Sequence, residues 1–350
     1  MNIEARRAAP CSDPTIWTVA DLPSAADTFT IRFEPDEQAE MEALIARARS
    51  CNVSAENVED DFFVWPQVSR KMVAVLRELR NGKGIVVMSG ISADRFTKGE
   101  MGLIYWGLGL CLGKGVPQSA KGDRLGHVRD MSAHEKDARA YQNRNELNPH
   151  TDYTELVGLM CLRDARSGGE TPLASSLAIH NEIWRTNPEL LDILYRGFRY
   201  HRRGEQQPGE EPITPYCVPV FSRTGEHVSC RFIRPYIEAA AIELGTPLSA
   251  DEVRALDLFQ ALANSEAFCL KLRLAPGSLV LFNNYTTVHS RTPFVDHDVE
   301  EDKRHLLRLW LLPENFRPVV PEIEIYSTKG GVQRREGGIA EHFAWGVGGH

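Results

Sequence analysis

The chain has 350 residues, 42% hydrophobic and 25% charged, with a net charge of −8 and a sequence pI near 5.8. That balance suits a soluble globular protein with a sizeable core. The 40 Lys and Arg are scattered, which argues against the basic stripe that a nucleic-acid partner requires.

Residues 1–30 read as a loosely structured lead-in. Glu4, Arg6, Arg7 and Asp13 interrupt any apolar run there, so no secretory signal is expected. A helical period covers 37–50 and again 63–82, the second stopped by Asn81-Gly82. KGIVVMSG (83–90) predicts a short strand and 97–110 a helix. The most apolar run, IYWGLGLCLG at 104–113, is about half the roughly 20 residues of a membrane span, so no membrane partner is expected.

Residues 114–148 are polar and predict a long, lid-like excursion. Strands are predicted at 155–163, 171–176, 198–202, 216–222, 227–233, 267–274, 278–283 and 303–312. Two helices interrupt them near 177–196, and a third opens at the capping box Ser249-Ala-Asp-Glu252 and runs to about 264. A second polar loop, 201–212, predicts another rim or lid. Helices first and many short strands afterwards predict a mainly β fold with flanking helices, an antiparallel barrel or jelly roll, as a single domain over 31–350. The seven cysteines form no CxxC pair and read as reduced thiols in a cytoplasmic protein.

Two His-x-acid pairs stand out. His180 and Glu182 lie in SLAIHNEIWRT, which reads as helix, where positions i and i+2 point about 200° apart and cannot share a metal. His150 and Asp152 lie in NPHTDYTELVGL, just ahead of an apolar run. In extended backbone, positions i and i+2 share a face, so both side chains reach one point. The plain alternative is a loop turn in which Asp152 caps a neighbouring amide. Further on, LVLFNNYTTVHSRTPF (279–294) runs from an apolar strand into His289, with Asn283 and Asn284 before it and Arg291 after it. As a third ligand His289 completes two histidines and one carboxylate, the facial set of a non-haem Fe(II) site; alone it is an ordinary core histidine.

In EDKRHLLRLWLL (301–312), strand alternation places Arg304, Leu306, Arg308 and Trp310 on one face and His305, Leu307 and Leu309 on the other. Both faces carry bulk, as in a buried strand, and buried guanidinium groups require anionic partners. These are either bound ligands or internal salt bridges. In RSGGETPLAS (166–175), Gly168-Gly169 make a tight turn and Thr171 opens a strand, as a β-former or as a hydrogen-bond donor to a carboxylate.

Taken together, HTD, GGETPLAS, FNNYTTVHSR and KRHLLRLWL resemble the TauD/TfdA family of Fe(II)- and 2-oxoglutarate-dependent dioxygenases, of the clavaminate-synthase-like group. The likeness covers roughly residues 80–315. It implies a double-stranded β-helix fold, with His150, Asp152 and His289 as catalytic iron ligands. Thr171 and Arg304 match the positions that hold the distal carboxylate of 2-oxoglutarate, and Arg308 a position that meets the primary substrate. The implied cofactors are Fe(II), 2-oxoglutarate and O2. The implied reaction is oxidation of a small molecule: hydroxylation, desaturation or cyclisation of an unactivated C–H bond. A zinc hydrolase on the same ligands and a non-enzymatic jelly-roll binding protein are the alternatives. The oligomeric state is not readable from the sequence.

Overall fold

The computed structural model describes residues 9–22, 30–53, 58–130 and 143–336. Its strands, in chain order, are β1 (Thr30–Arg32), β2 (Ile85–Ser89), β3 (Lys114–Gly115), β4 (Leu125–Val128), β5 (Leu147–His150), β6 (Leu156–Arg163), β7 (Ser167–Gly168), β8 (Thr171–Ser175), β9 (Phe221–Thr224), β10 (His227–Cys230), β11 (Leu270–Leu272), β12 (Leu279–Asn283), β13 (Thr287–Arg291), β14 (Phe294–Val295) and β15 (His305–Leu312). The α-helices are α1 (Pro35–Cys51), α2 (Pro66–Asn81), α3 (Lys98–Leu110), α4 (Ser176–Thr186), α5 (Pro188–Arg196), α6 (Arg234–Glu243) and α7 (Ala250–Asn264).

Two sheets position the site. A seven-stranded mixed sheet runs β1-β2-β12-β6-β15, with β3 and β4 both on the far edge of β15, and a four-stranded antiparallel sheet runs β11-β8-β13-β5. Among the described residues no ladder closes the two into a barrel.

Each central strand of the large sheet has two buried faces. On β15, Leu307, Leu309 and Leu311 join a core with Met72, Val75 and Leu79 of α2, whereas Leu306 and Trp310 join a core with Val157, Phe282 and Leu173. The alternation expected for 303–312 is present from Leu306 to Leu311, whereas β15 begins at His305 and a register shift between His305 and Leu306 interrupts the pattern toward Arg304. α2 buries Val68, Met72, Val75 and Leu79, the stripe of a 3.6-residue period, and packs on β2 and β12. α7 opens with the expected capping box: the Glu252 N–H donates to Ser249 Oγ (3.3 Å) and the Ser249 N–H to the Glu252 carboxylate (2.9 Å).

Several segments differ from expectation. The runs 198–202 and 216–222 yield only isolated bridges, Phe198 to Val218 and His201 to Ile213, followed by β9. Pro212, Pro215 and Pro219 lack the N–H groups a ladder needs. α6 was not expected, although Pro235 in its first turn and Ala239-Ala240-Ala241 within it are helix signals. In the polar stretch 114–148, β3 and β4 are built onto the sheet, and residues 131–142 lie outside the described residues. Within the lead-in, Trp17 is fully buried and Asp13 pairs with Arg317 at 2.7 Å. No helix among the described residues is long and apolar enough to cross a membrane.

Candidate active site

β5 and β13 pair antiparallel so that His150 stands directly opposite His289, their ring centroids 4.2 Å apart. Asp152 enters from the loop that follows β5. Its Oδ1 lies 3.9 Å from His150 Nε2 and its Oδ2 lies 3.7 Å from His289 Nε2. One ligand atom from each residue falls within 4.8 Å of the others, so the three converge on one point that could hold a metal ion. Among the described residues no other group of three or more His, Cys, Asp or Glu could hold a metal.

The loop carrying Asp152 is fastened by backbone contacts. The Asp152 N–H donates to Asn284 Oδ1 (2.9 Å), and Asn284 Nδ2 donates to the carbonyls of Asp152 (2.7 Å) and Thr154 (2.6 Å). Arg231, 1% exposed, also donates to the Asp152 carbonyl. The Thr151 N–H donates to the Phe232 carbonyl at 2.8 Å. His150 Nδ1 lies 2.8 Å from the Asn148 carbonyl, which only accepts, so Nδ1 carries the proton and Nε2 presents a lone pair. The Asp152 carboxylate accepts from Trp310 Nε1 at 2.8 Å and lies 3.4 Å from Arg308 Nη1.

These surroundings set the ionisation. Burial lowers the pKa of both histidines, that of His289 to about 3 with the His150 ring as second cause. Burial by itself would raise Asp152, but Arg308, then His289 and His150, outweigh it and hold the carboxyl below its usual range. Two neutral imidazoles and one carboxylate are the forms that take up a divalent cation.

The far side of β13 carries the other two residues expected from the sequence, Thr171 and Arg304. β8 pairs there with His289 opposite Leu173, and the Thr292 N–H donates to the Glu170 carbonyl (3.2 Å), which extends the register to set Thr171 across from Arg291. Thr171 is 3% exposed and Arg304 is 2% exposed. The Arg304 N–H donates to Asp296 Oδ1 (2.7 Å), its Nη2 donates to the Gly169 carbonyl (3.2 Å), and its guanidinium lies 5.0 Å from the Phe294 ring centroid. Its Nε and Nη1 are buried with no hydrogen-bond partner among the described residues. Two orphaned N–H groups on a buried cation call for an anion, and a carboxylate of 2-oxoglutarate fits them. Arg291 lies on the same ring at 5.3 Å, and burial, then Arg304, lowers it to about 10.

A cavity of about 580 Å³ opens over His150 and Asp152 and is lined also by Arg308, Trp310, Tyr153, Tyr236, Tyr326 and Arg203. Thr171 and Arg304 do not line it. His180 behaves as expected of a helix residue: it is buried and its Nε2 meets Tyr195 Oη at 2.9 Å, while Glu182 pairs with Arg185. Sequence reasoning assigned no role to Asn284, Arg231 or Trp310. The Asn283-Asn284 pair ahead of His289 was the visible signal for the first, and the alternation along β15 for the last.

Residues 29–310 match the family described as taurine catabolism dioxygenase TauD, TfdA family. The chain is 29% identical over 314 residues to FR-33289 synthase of Streptomyces rubellomurinus, covering 88% of this chain and 92% of that protein. It shares the fold of asparagine oxygenase, solved with Fe(II), 2S,3S-3-hydroxyasparagine and succinate, at a TM-score of 0.64 and 14% identity over 86% of this chain and 100% of that one. The non-heme iron oxygenase OrfP, solved with Fe and alpha-ketoglutaric acid, gives 0.60 at 15% identity over 81% and 94%. The chain thus belongs to the TauD/TfdA family and is a dioxygenase that uses Fe(II), 2-oxoglutarate and O2.

Proposed function

We propose that this enzyme oxidises an unactivated C–H bond of a small, anionic or natural-product-like molecule. Hydroxylation is the expected outcome, with desaturation and cyclisation as variants. In this reading His150, Asp152 and His289 hold the iron. Thr171 and Arg304 hold the distal carboxylate of 2-oxoglutarate, and Arg308 meets the substrate. Bound iron supplies O2 activation coupled to decarboxylation of 2-oxoglutarate, and the protein orients the substrate and excludes water. The seven-stranded and four-stranded sheets fit the opposing walls of a double-stranded β-helix.

The observation that carries the reading is the His150–Asp152–His289 cluster together with the orphaned Nε and Nη1 of Arg304. A zinc hydrolase on the same ligands leaves those N–H groups without a function. An anionic substrate is supported by Arg308, which lines the cavity beside Asp152.

The test is a screen of small molecules with Fe(II), 2-oxoglutarate and O2, following succinate and product together. One compound that raises succinate formation, with oxidised product in equal amount, is the expected result. Metal-dependent hydrolysis without 2-oxoglutarate consumption contradicts it.

A further inference from the structure

The cavity over the metal ligands is walled in part by tyrosines. The Tyr153 ring meets Tyr326 edge-on at 4.9 Å and Tyr236 at 5.8 Å between centroids. Tyr153 is 8% exposed, and its buried hydroxyl has no hydrogen-bond partner among the described residues. A buried hydroxyl in that state is unfavourable unless something else meets it.

Arg203 lines the same cavity, with its guanidinium 5.7 Å from the Tyr236 centroid and no carboxylate partner among the described residues. Its backbone is left-handed (φ 54°), a region that bulky side chains rarely adopt. The His201 ring holds it there: Nδ1 accepts the Arg203 N–H at 2.7 Å, while Nε2 meets Glu243 Oε2 at 2.8 Å. A strained residue kept in place at a cavity wall is a candidate for function.

Tyr326 comes from a segment beyond residue 310, where the family match ends. That segment is stitched across the cavity. Tyr326 Oη donates to the Arg202 carbonyl (3.2 Å), the Gly331 N–H to the Tyr153 carbonyl, the Val332 N–H to the Pro117 carbonyl (2.8 Å) and the Arg335 N–H to the Ala120 carbonyl (2.9 Å). It thereby joins Pro117 and Ala120 to Arg202, with Tyr326 and Val332 lining the cavity.

We propose that Tyr153, Arg203 and Tyr326 form a subsite for an oxyanion group on the end of the substrate that is not oxidised, and that the C-terminal strap determines specificity. Arg203 supplies charge, Tyr153 supplies an O–H donor, and Tyr326 closes the wall. Phosphate, sulfonate and carboxylate groups share this chemistry. The proposal rests on the metal-site reading above and extends it.

The test loads the full chain with Mn(II) and 2-oxoglutarate and measures paramagnetic relaxation of three probes: ³¹P of inorganic phosphate, and ¹H of taurine and of acetate. At least one probe should show saturable relaxation, and the probe that does so identifies the oxyanion class. Tyr153→Phe and Arg203→Met should each weaken its apparent affinity about tenfold, with Mn(II) still bound by electron paramagnetic resonance. Tyr326→Ala should weaken it as well. Tyr153→Phe keeps the ring packing, so an unchanged melting temperature separates lost recognition from lost fold. Saturable relaxation unaltered in both Tyr153→Phe and Arg203→Met overturns the subsite, as does no saturable relaxation from any probe on the loaded wild type. A wild type that takes up no Mn(II) overturns the metal-site reading itself, and the subsite with it.

Discussion

Asn284 and Asp152 are joined in both directions: the Asp152 N–H donates to the Asn284 carboxamide oxygen at 2.9 Å, and the carboxamide nitrogen donates back to the Asp152 carbonyl at 2.7 Å. Asn284 sits in the turn between β12 and β13, so one side chain ties the loop carrying Asp152 to the strand that delivers His289. Asn284→Ala removes this clamp in a fully buried setting and leaves backbone groups unsatisfied. We expect about 3 kcal/mol of lost stability and Fe(II) binding about tenfold to a hundredfold weaker. Denaturant unfolding and metal titration check this. Unchanged metal affinity would reduce Asn284 to a turn residue.

His150→Ala and His289→Ala should each abolish substrate-dependent turnover and cut Fe(II) affinity, because two remaining ligands hold such an ion poorly. Anaerobic metal titration is the check. Full activity in either variant would sink the ligand assignment.

Arg304→Ala should raise the 2-oxoglutarate requirement by roughly tenfold to a hundredfold, since a hydrogen bond to a charged group is worth about 1.5–3 kcal/mol. Thr171→Ala should act in the same direction more mildly. An unchanged requirement in Arg304→Ala would move the carboxylate elsewhere, with Arg291, on the same Phe294 ring, the next residue to change.

The histidine and arginine positions were legible because strand geometry has a period of two. That period puts His150 and Asp152 on one face of extended chain, and Leu306, Arg308 and Trp310 on one face of β15; Arg304 lies just before β15, beyond a register shift between His305 and Leu306. Helix ends were legible where caps are local, as at Ser249 and Asn81-Gly82. What was not legible depends on contacts distant in sequence. Gly331 meeting Tyr153, and Arg335 meeting Ala120, are single backbone bonds that impose no periodicity on either segment. The polar composition of 114–148 suggested an excursion, yet β3 and β4 within it pair with β15, with Gly126 opposite Arg308. Gln118 there accepts from Arg308 Nε at 2.7 Å, which explains a polar residue at a buried edge.

Stability of the metal-free protein should fall as pH drops below neutrality. Burial lowers His180 to about 4, and burial followed by the His150 ring lowers His289 to about 3, both from 6.5. Between about pH 4 and 6.5 the unfolded chain therefore binds more protons at these groups than the folded one. Their contribution is present above pH 6.5 and is lost progressively below it. Thermal melts from pH 7 to 5 should show the decline, and His180→Gln, away from the iron ligands, should show a shallower slope. Equal slopes in the two proteins would contradict the assignment for His180.

The central claim is that one site takes both Fe(II) and 2-oxoglutarate. Anaerobic addition of Fe(II) and then 2-oxoglutarate to the purified protein, followed by visible absorption, tests it most directly. A weak charge-transfer band that needs both additions, saturates at one equivalent of iron and requires more 2-oxoglutarate in Arg304→Ala is the predicted result. Tight zinc binding with no such band at any 2-oxoglutarate concentration would contradict it.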